Sequence, residues 1–248
     1  MTKHTATDQL SPKQLVAHRG LQAAYPENTA LSVSKAIDAG ALFVEIDIQL
    51  SLDKQPMVFH DSGLKRVSGR HGMISEISCH ELSQIPAYEP ARFGNQFISE
   101  TISPLVKVAD IIAQHPNVTL FVELKEQSIA AFGAEVMLNS VCNILQPIRD
   151  RAVLISFDYD IIFAARLAAW PQVGAVLRKW RDIDSEKITQ IAGDYTFVDY
   201  KLIPVDENLT RLNTKLVAYE VGTRELAQKL AHCGVDLLET FDISTLLE

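Results

Sequence analysis

The sequence predicts an α/β chain folded as a (β/α)8 barrel of the TIM type, with a small insertion after the second strand. Three observations carry that expectation. The 248 residues match the roughly 250 that a single barrel of this kind needs. Short apolar runs rich in β-branched residues alternate with helical patterns, which implies parallel strands joined by helices. Reactive polar residues gather where strands end, and in (β/α)8 enzymes the active site lies at the C-terminal ends of the strands.

The first strand is expected at residues 14–17, running into His18-Arg19-Gly20. Pro26-Glu27-Asn28-Thr29 starts a helix in which Asn28 caps the orphan N–H groups; the helix reaches about residue 39, and Gly40 suits a left-handed stop. Residues 41–48 form the second strand, Asp53-Lys54-Gln55 a turn, and 56–60 a short extended piece. From 61 to about 104 the periodicity fails and Gly63, Gly69, Gly72, Pro86, Pro90, Gly94 and Pro104 punctuate the chain. We read this stretch as an insertion on a barrel loop of one domain, 1–248, and not as an independent domain. Residues 106–114 then read as a helix and 118–124 as the third strand. Helices at 129–145, 161–169, 183–191, 207–212 and 225–232 alternate with strands at 152–157, 173–177, 195–200, 215–221 and 235–240, completing eight strands.

Composition narrows the function class. Hydrophobic residues make up 47% of the chain, enough for a large core, yet no run approaches the roughly 20 apolar residues of a membrane span. Residues 1–13 are polar and read as no signal peptide. Cys79, Cys142 and Cys233 are odd in number and far apart, as expected of reduced thiols in a cytoplasmic protein. A formal net charge of −8 argues against nucleic acid or an anionic membrane as the main partner. A phosphate ester is still manageable where a metal and a few basic groups offset the charge locally.

The residues that carry chemistry follow from strand geometry. In Phe43-Val44-Glu45-Ile46-Asp47-Ile48, alternation turns Glu45 and Asp47 to one side and the apolar trio Val44, Ile46 and Ile48 to the other. Two carboxylates forced together repel unless a proton or cation sits between them, and hard oxygen ligands suit Mg²⁺ or Ca²⁺. The plainer reading, a solvated acidic edge, fits poorly with so dense an apolar partner face. Glu123 repeats the pattern in the third strand and can complete a three-carboxylate site for one divalent cation; Lys125 beside it can meet a phosphate oxygen, or simply pair with Glu123. His18 and His60, each at a strand end, suit paired proton transfer near neutral pH, the alternative being structural histidines. Arg19 can hold a phosphate through two nitrogens, or form a surface ion pair. His4, His71, His80, His115 and His232 read as ordinary surface or loop residues.

Taken in order, His18-Arg19-Gly20, Pro26-Glu27-Asn28-Thr29, Glu45-Ile46-Asp47, His60-Asp61 and Glu123-Leu124-Lys125 resemble the glycerophosphodiester phosphodiesterase family. The likeness covers roughly the first half of the chain, and Ser156-Phe157 and the irregular stretch after Asp61 share it. It implies a (β/α)8 barrel that hydrolyses glycerophosphodiesters, small-molecule substrates, to glycerol 3-phosphate and an alcohol. It further implies that Glu45, Asp47 and Glu123 bind one divalent cation, Mg²⁺ or Ca²⁺. His18 and His60 would then be the catalytic acid–base pair, and Arg19 and Lys125 would contact the phosphate. Attack by water and attack by the substrate's own glycerol 2-hydroxyl, through a cyclic intermediate, both fit.

The second half departs from the family pattern. Where a Trp-Thr-Val-Asn-like run is usual this chain has Tyr219-Glu220-Val221-Gly222, and where an Ile-Thr-Asp-like run is usual it has Glu239-Thr240-Phe241-Asp242. Tyr219 keeps an aromatic wall. Glu220 and Glu239 are candidates for meeting a cationic head group or sugar hydroxyls on the alcohol side, or are surface or supporting carboxylates. Other readings keep the barrel and metal but change the substrate to a lysophospholipid or sugar phosphodiester, with Phe93 and Phe97 as candidates for an exposed apolar loop. A non-catalytic phosphodiester-binding barrel would be expected to lack an acid or a histidine of the set. An aldolase or isomerase reading has only Lys125 behind it.

Overall fold

The computed structural model describes residues 10–247; His4 and most of the polar leader at 1–13 lie outside the described residues. Ten strands form one sheet: β1 Leu15–Ala17, β2 Phe43–Leu50, β3 Pro56–Val58, β4 Ser103–Pro104, β5 Thr119–Leu124, β6 Ala152–Ser156, β7 Gln172–Val176, β8 Tyr195–Asp199, β9 Lys215–Tyr219 and β10 Leu237–Thr240. Eight of them pair in parallel around a ring, β1-β2-β5-β6-β7-β8-β9-β10, and β10 returns to β1 to close it. Helices cross between strands, so the molecule is a (β/α)8 barrel. β3 and β4 form an antiparallel flap on the upper half of β2, where Ile48, Gln49 and Leu50 pair with Val58, Met57 and Pro56.

Alternation along each strand divides the core in two. Side chains such as Val44, Ile46, Ile48, Leu120, Val122 and Leu124 point outward into one continuous apolar layer under the helices, which contribute Val33, Ala36, Val108, Ile112, Val141 and Leu145. The opposite set points inward. Phe121 meets Tyr195 and Phe197 edge-on at ring separations of 4.9 and 5.0 Å, and with Val16, Val153 and Val217 this cluster fills the barrel interior. Two residues further along β5 the next inward position is Glu123, so the aromatic plug is the floor on which the polar site stands.

The structure departs from the sequence reading at several helices. Thr29, not Asn28, caps helix Ala30–Asp38, its side chain accepting the Ser32 N–H. Asn28 sits at φ 55°, a left-handed conformation that asparagine tolerates better than most residues. The helix expected at 129–145 is two, Glu126–Phe132 and Ala134–Leu145, because Gly133 at φ 90° breaks it. The helix expected at 183–191 divides into a 3₁₀ turn Trp180–Asp184 and a helix Glu186–Ile191 capped by Ser185. Between β8 and β9 the expected helix shrinks to the 3₁₀ turn Leu209–Arg211. A last helix, Ile243–Leu247, has no counterpart in that reading.

Residues 61–104 carry three short helices, Lys65–Ser68, Cys79–Leu82 and Pro90–Phe93. They gather on a separate apolar cluster that includes Phe59, Leu64, Val67, Ile74, Leu82 and Ile102. Phe93 and Phe97 are partly buried, with rings edge-to-face at 5.1 Å and Phe97 against Tyr25 at 5.7 Å. Among the described residues no single helix is long and apolar enough to cross a membrane; the bent pair Glu126–Phe132 and Ala134–Arg151 passes by length and composition alone.

Gly174 in β7 lies close against the strands on either side of it. An added Cβ would stand 2.9 Å from the Tyr195 carbonyl oxygen and 3.2 Å from Ile155 Cγ2. Gly174→Ala is therefore expected to cost about 1–3 kcal/mol by overpacking, read as a lowered thermal midpoint. An unchanged midpoint would mean that the barrel wall yields there.

Candidate active site

The inward positions at the C-terminal ends of β1, β2 and β5 converge on one cluster of charge. Asp47 of β2 and Glu123 of β5 are register partners on adjacent parallel strands, and Glu45 lies two residues before Asp47 on the same face. One oxygen from each of the three carboxylates lies within 4.8 Å of the others. Glu45 and Asp47 are buried and Glu123 partly so. Lys125 Nζ donates to Glu123 Oε1 at 2.7 Å and to Asp47 Oδ1 at 3.2 Å. Arg19 Nε lies 3.0 Å from Asp47 Oδ2, and the Arg19 backbone N–H donates to Glu45 Oε2 at 3.2 Å. Asn28 clamps Asp47 from the side: its Nδ2 donates to Asp47 Oδ2 at 2.8 Å, and its Oδ1 accepts the Asp47 N–H at 3.1 Å.

The two cations do not neutralise the three acids equally. Burial alone would raise the Asp47 pKa, but Arg19 and Lys125 outweigh it and hold the carboxyl below the usual range. Glu45 is pushed well above that range by burial and then by the Asp47 charge. Burial and Asp47 also raise Glu123, against the pull of Lys125. Glu45 Oε1 is buried and finds no hydrogen-bond donor among the described residues. Three hard oxygen donors converging on an unpaired buried oxygen fit a divalent cation with oxygen ligands.

The histidines flank this cluster. His18 Nε2 lies 3.8 Å from Glu45 Oε2 and 3.9 Å from Glu239 Oε1, and its ring packs on Phe241 at 5.1 Å. Burial, then the Arg19 charge, lowers its pKa to about 3, so the ring is neutral at physiological pH. His60 is placed from outside the barrel ring, one residue past Phe59 and the β3 flap. Its Nδ1 lies 2.7 Å from Asp61 Oδ1, which leaves Nε2 as the nitrogen without a partner among the described residues. Asp61 is held in turn by Arg66, whose Nε and Nη2 donate to it at 2.8 and 2.9 Å. Arg66 also donates twice to Glu27, at 2.7 Å each, and Glu27 accepts from Arg19 Nη1 at 3.0 Å. A chain of ion pairs thus runs His60–Asp61–Arg66–Glu27–Arg19–Asp47, tying the inserted residues to the barrel mouth.

These groups line a cleft with a cavity volume of about 150 Å³. His18, Arg19, Glu45, His60, Glu123 and Lys125 form one side. Ile155, Phe157, Val176 and Phe197 form the other, and Tyr219, Glu220 and Glu239 close it next to His18. Burial pushes the Tyr219 hydroxyl up to about 12, so it stays a neutral phenol. Glu239 is buried, and burial followed by the Glu123 charge pushes its carboxyl well above the usual range. Every residue singled out in the sequence for the site therefore borders this one cleft or, for Asp47, pairs with Arg19 and Lys125, which do. The remaining described histidines, His71, His80, His115 and His232, are exposed.

Sequence reasoning leaves several supporting residues without a role. Asn28 reads as a helix cap because its type and position before a helical run suit one. Glu27 and Asp61 sit inside recognisable motifs, and Asp61 could have been suspected from its adjacency to His60. Arg66 gives no signal, since it lies in a stretch without periodicity.

Comparison with known proteins agrees with the geometry. The sequence profile of the glycerophosphoryl diester phosphodiesterase family matches residues 18–240. A glycerophosphodiester phosphodiesterase from Caldanaerobacter subterraneus is 24% identical over 94% of this chain and 96% of its own. The structure of an Oleispira antarctica phosphodiesterase in complex with the product sn-glycerol-3-phosphate superposes with a TM-score of 0.81 at 26% identity, covering 94% of each chain. The fold is also that of the glycerophosphodiester phosphodiesterase from Thermotoga maritima, with a TM-score of 0.70, 22% identity, and 93% and 95% of the two chains covered. With the profile spanning nearly the whole barrel, the chain belongs to the glycerophosphoryl diester phosphodiesterase family, a family of phosphoric diester hydrolases.

Proposed function

We propose that the chain hydrolyses glycerophosphodiesters to glycerol 3-phosphate and an alcohol, using one divalent cation and two histidines. The observation that carries this reading is the convergence of Glu45, Asp47 and Glu123 within 4.8 Å of one another in the cleft that His18 and His60 also line. The product seen in the Oleispira antarctica relative supports the substrate class. We take the chain as one catalytic unit in which 61–104 elaborate a barrel loop. The unpaired thiols of Cys79, Cys142 and Cys233 support a reducing, cytoplasmic setting.

Glu45, Asp47 and Glu123 would hold the cation, Mg²⁺ or Ca²⁺. When bound it polarises phosphoryl oxygens and stabilises the charge that grows on them during displacement. Lys125 and Arg19 flank the acids and offer positive charge to the remaining phosphate oxygens, where it counts most as the phosphorane-like charge develops. His18, and His60 with its Nδ1 engaged by Asp61, supply one group to take the proton of the attacking hydroxyl and one to protonate the departing oxygen. Arg66 fixes Asp61 and so fixes the angle of the His60 ring.

Three outcomes test this. Purified protein should release glycerol 3-phosphate from glycerophosphodiesters, EDTA should stop it, and His18→Ala or His60→Ala should each lower kcat by about 10²–10⁴-fold without changing the thermal midpoint. Activity loss that tracked unfolding would contradict the assignment. Arg66→Met should lower kcat by about tenfold, because it frees Asp61 and the His60 ring; a normal kcat would remove Arg66 from the account. The third test concerns the acids alone. Because the folded-state pKa of Glu45 is raised, the metal-free chain holds an extra proton and loses stability as pH rises above the free value of 4.5. Glu45→Gln should therefore raise the thermal midpoint of EDTA-treated protein at pH 8, with each 1 kcal/mol relieved reading as roughly 2–4 °C. The same variant should lose the midpoint gain that Mg²⁺ or Ca²⁺ gives the parent. A lowered midpoint with the cation response intact would refute the role of Glu45.

A further inference from the structure

We propose that Gln49 and Ser128 are positioning residues that fix the main chain of His60 and so set how far its ring reaches into the cleft. The proposal rests on the phosphodiesterase reading above, in which His60 moves a proton, and adds two residues that act through it.

The first observation is the way His60 is anchored. β3 ends at Val58, so His60 lies beyond the sheet. The Phe59 N–H donates to the Asp47 carbonyl at 2.9 Å, just before it. Asp61 orients the ring through Nδ1, but it is the next residue of the same partly exposed segment. The His60 peptide itself is tied to a barrel strand by Gln49, whose Nε2 donates to the His60 carbonyl at 3.0 Å.

The second observation is the burial of the groups that do this. Gln49 and Ser128 are each 2% exposed, and neither borders the cleft. Alternation along β2 puts Gln49 on the same face as Glu45 and Asp47, one step beyond them, where β2 pairs with β3 at Met57. A buried amide costs free energy unless its groups are bonded, whereas an apolar side chain of that size would need no partners. The amide is therefore explained by what it bonds, and one of its two partners is the peptide of His60.

The third observation is the direction of the bonds. The Leu50 N–H donates to Ser128 Oγ at 2.8 Å, and Ser128 Oγ lies 2.6 Å from Gln49 Oε1. A backbone N–H can only donate, so the hydroxyl accepts there and gives its single proton to the amide oxygen. That leaves the NH₂ end of Gln49 facing the His60 carbonyl, which can only accept. The relay Leu50–Ser128–Gln49–His60 thus admits one orientation of the amide, and Ser128 selects it. Ser128 stands in the first turn of helix Glu126–Phe132, which begins directly after Lys125, and the Lys125 N–H donates to the Ile48 carbonyl at 3.2 Å. One joint at the end of β2 therefore seats both His60 and Lys125.

The test is a double-mutant cycle read by release of glycerol 3-phosphate. Glycerophosphocholine, glycerophosphoethanolamine and glycerophosphoglycerol are assayed, and the best of them is carried forward at a temperature well below every variant's thermal midpoint. Gln49→Met keeps the size of the side chain and removes both of its bonds. It should lower kcat about tenfold and leave KM within about twofold, because the residue does not border the cleft. In a His60→Ala background the same change should lower kcat by less than about twofold, since a group that acts through His60 has nothing left to place. Ser128→Ala should show the same pattern at about threefold, because it frees the amide to turn without removing it. That variant carries the test alone if Gln49→Met does not fold. A kcat unchanged in both variants, or equal losses with and without His60, would overturn the proposal and leave the phosphodiesterase reading in place. No turnover of any of the three substrates by the wild type would overturn both.

Discussion

Three carboxylates held within 4.8 Å of one another at the mouth of the barrel repel, and the rest of the site is arranged around that repulsion. The parallel register of β2 and β5 sets Asp47 beside Glu123, and alternation along β2 adds Glu45, so none of the three can turn away without breaking a central strand. Arg19 and Lys125 offset part of the charge, and they do so unevenly. Asp47 remains ionised, whereas Glu45 is driven toward its protonated form and keeps one oxygen unpaired. Such an arrangement is costly for the fold alone and becomes favourable when a cation occupies it. That asymmetry separates a site prepared for a ligand from a structural ion-pair network, in which each acid would have its own base.

The stretch after β3 contributes more than bulk. Through Asp61 and Arg66 it supplies the pairing that orients His60, and through Glu27 the same ion-pair chain reaches Arg19 and Asp47. Arg66 is partly exposed, but its guanidinium spans two acids in fixed geometry, and Glu27 at the far end is buried. Any movement of residues 61–66 would therefore be felt at the acids. Below the site, the edge-on contacts of Phe121 with Tyr195 and Phe197 give these charged groups a rigid apolar floor.

Much of this is legible in the amino-acid sequence. Period-2 alternation put Val44, Ile46 and Ile48 on the helix side of β2 and so put Glu45 and Asp47 inside, and the same reasoning placed Glu123 and Lys125. All eight barrel strands fell close to their expected positions because short β-branched runs between turn residues leave little freedom. What was not legible depends on contacts distant in sequence. Asn28 looks like a cap until β2 brings Asp47, 19 residues on, to its amide. Arg66 lies in a segment where periodicity is silent, and its partner Glu27 is 39 residues away. The helix expected at 129–145 failed at Gly133 because composition on both sides is helical and only the backbone angle reveals the break. The weak turn at Leu209–Arg211 in place of a full helix shows that the barrel tolerates an abbreviated crossover on the side away from the acids.

The central claim concerns where a cation binds. The direct measurement is a crystal structure of the protein soaked in Mn²⁺, read by anomalous scattering. The account predicts a single ion coordinated by oxygens of Glu45, Asp47 and Glu123, with Lys125 turned from them toward the cleft. An empty acidic cluster, or an ion bound elsewhere while these acids keep their pairing with Arg19 and Lys125, would contradict it.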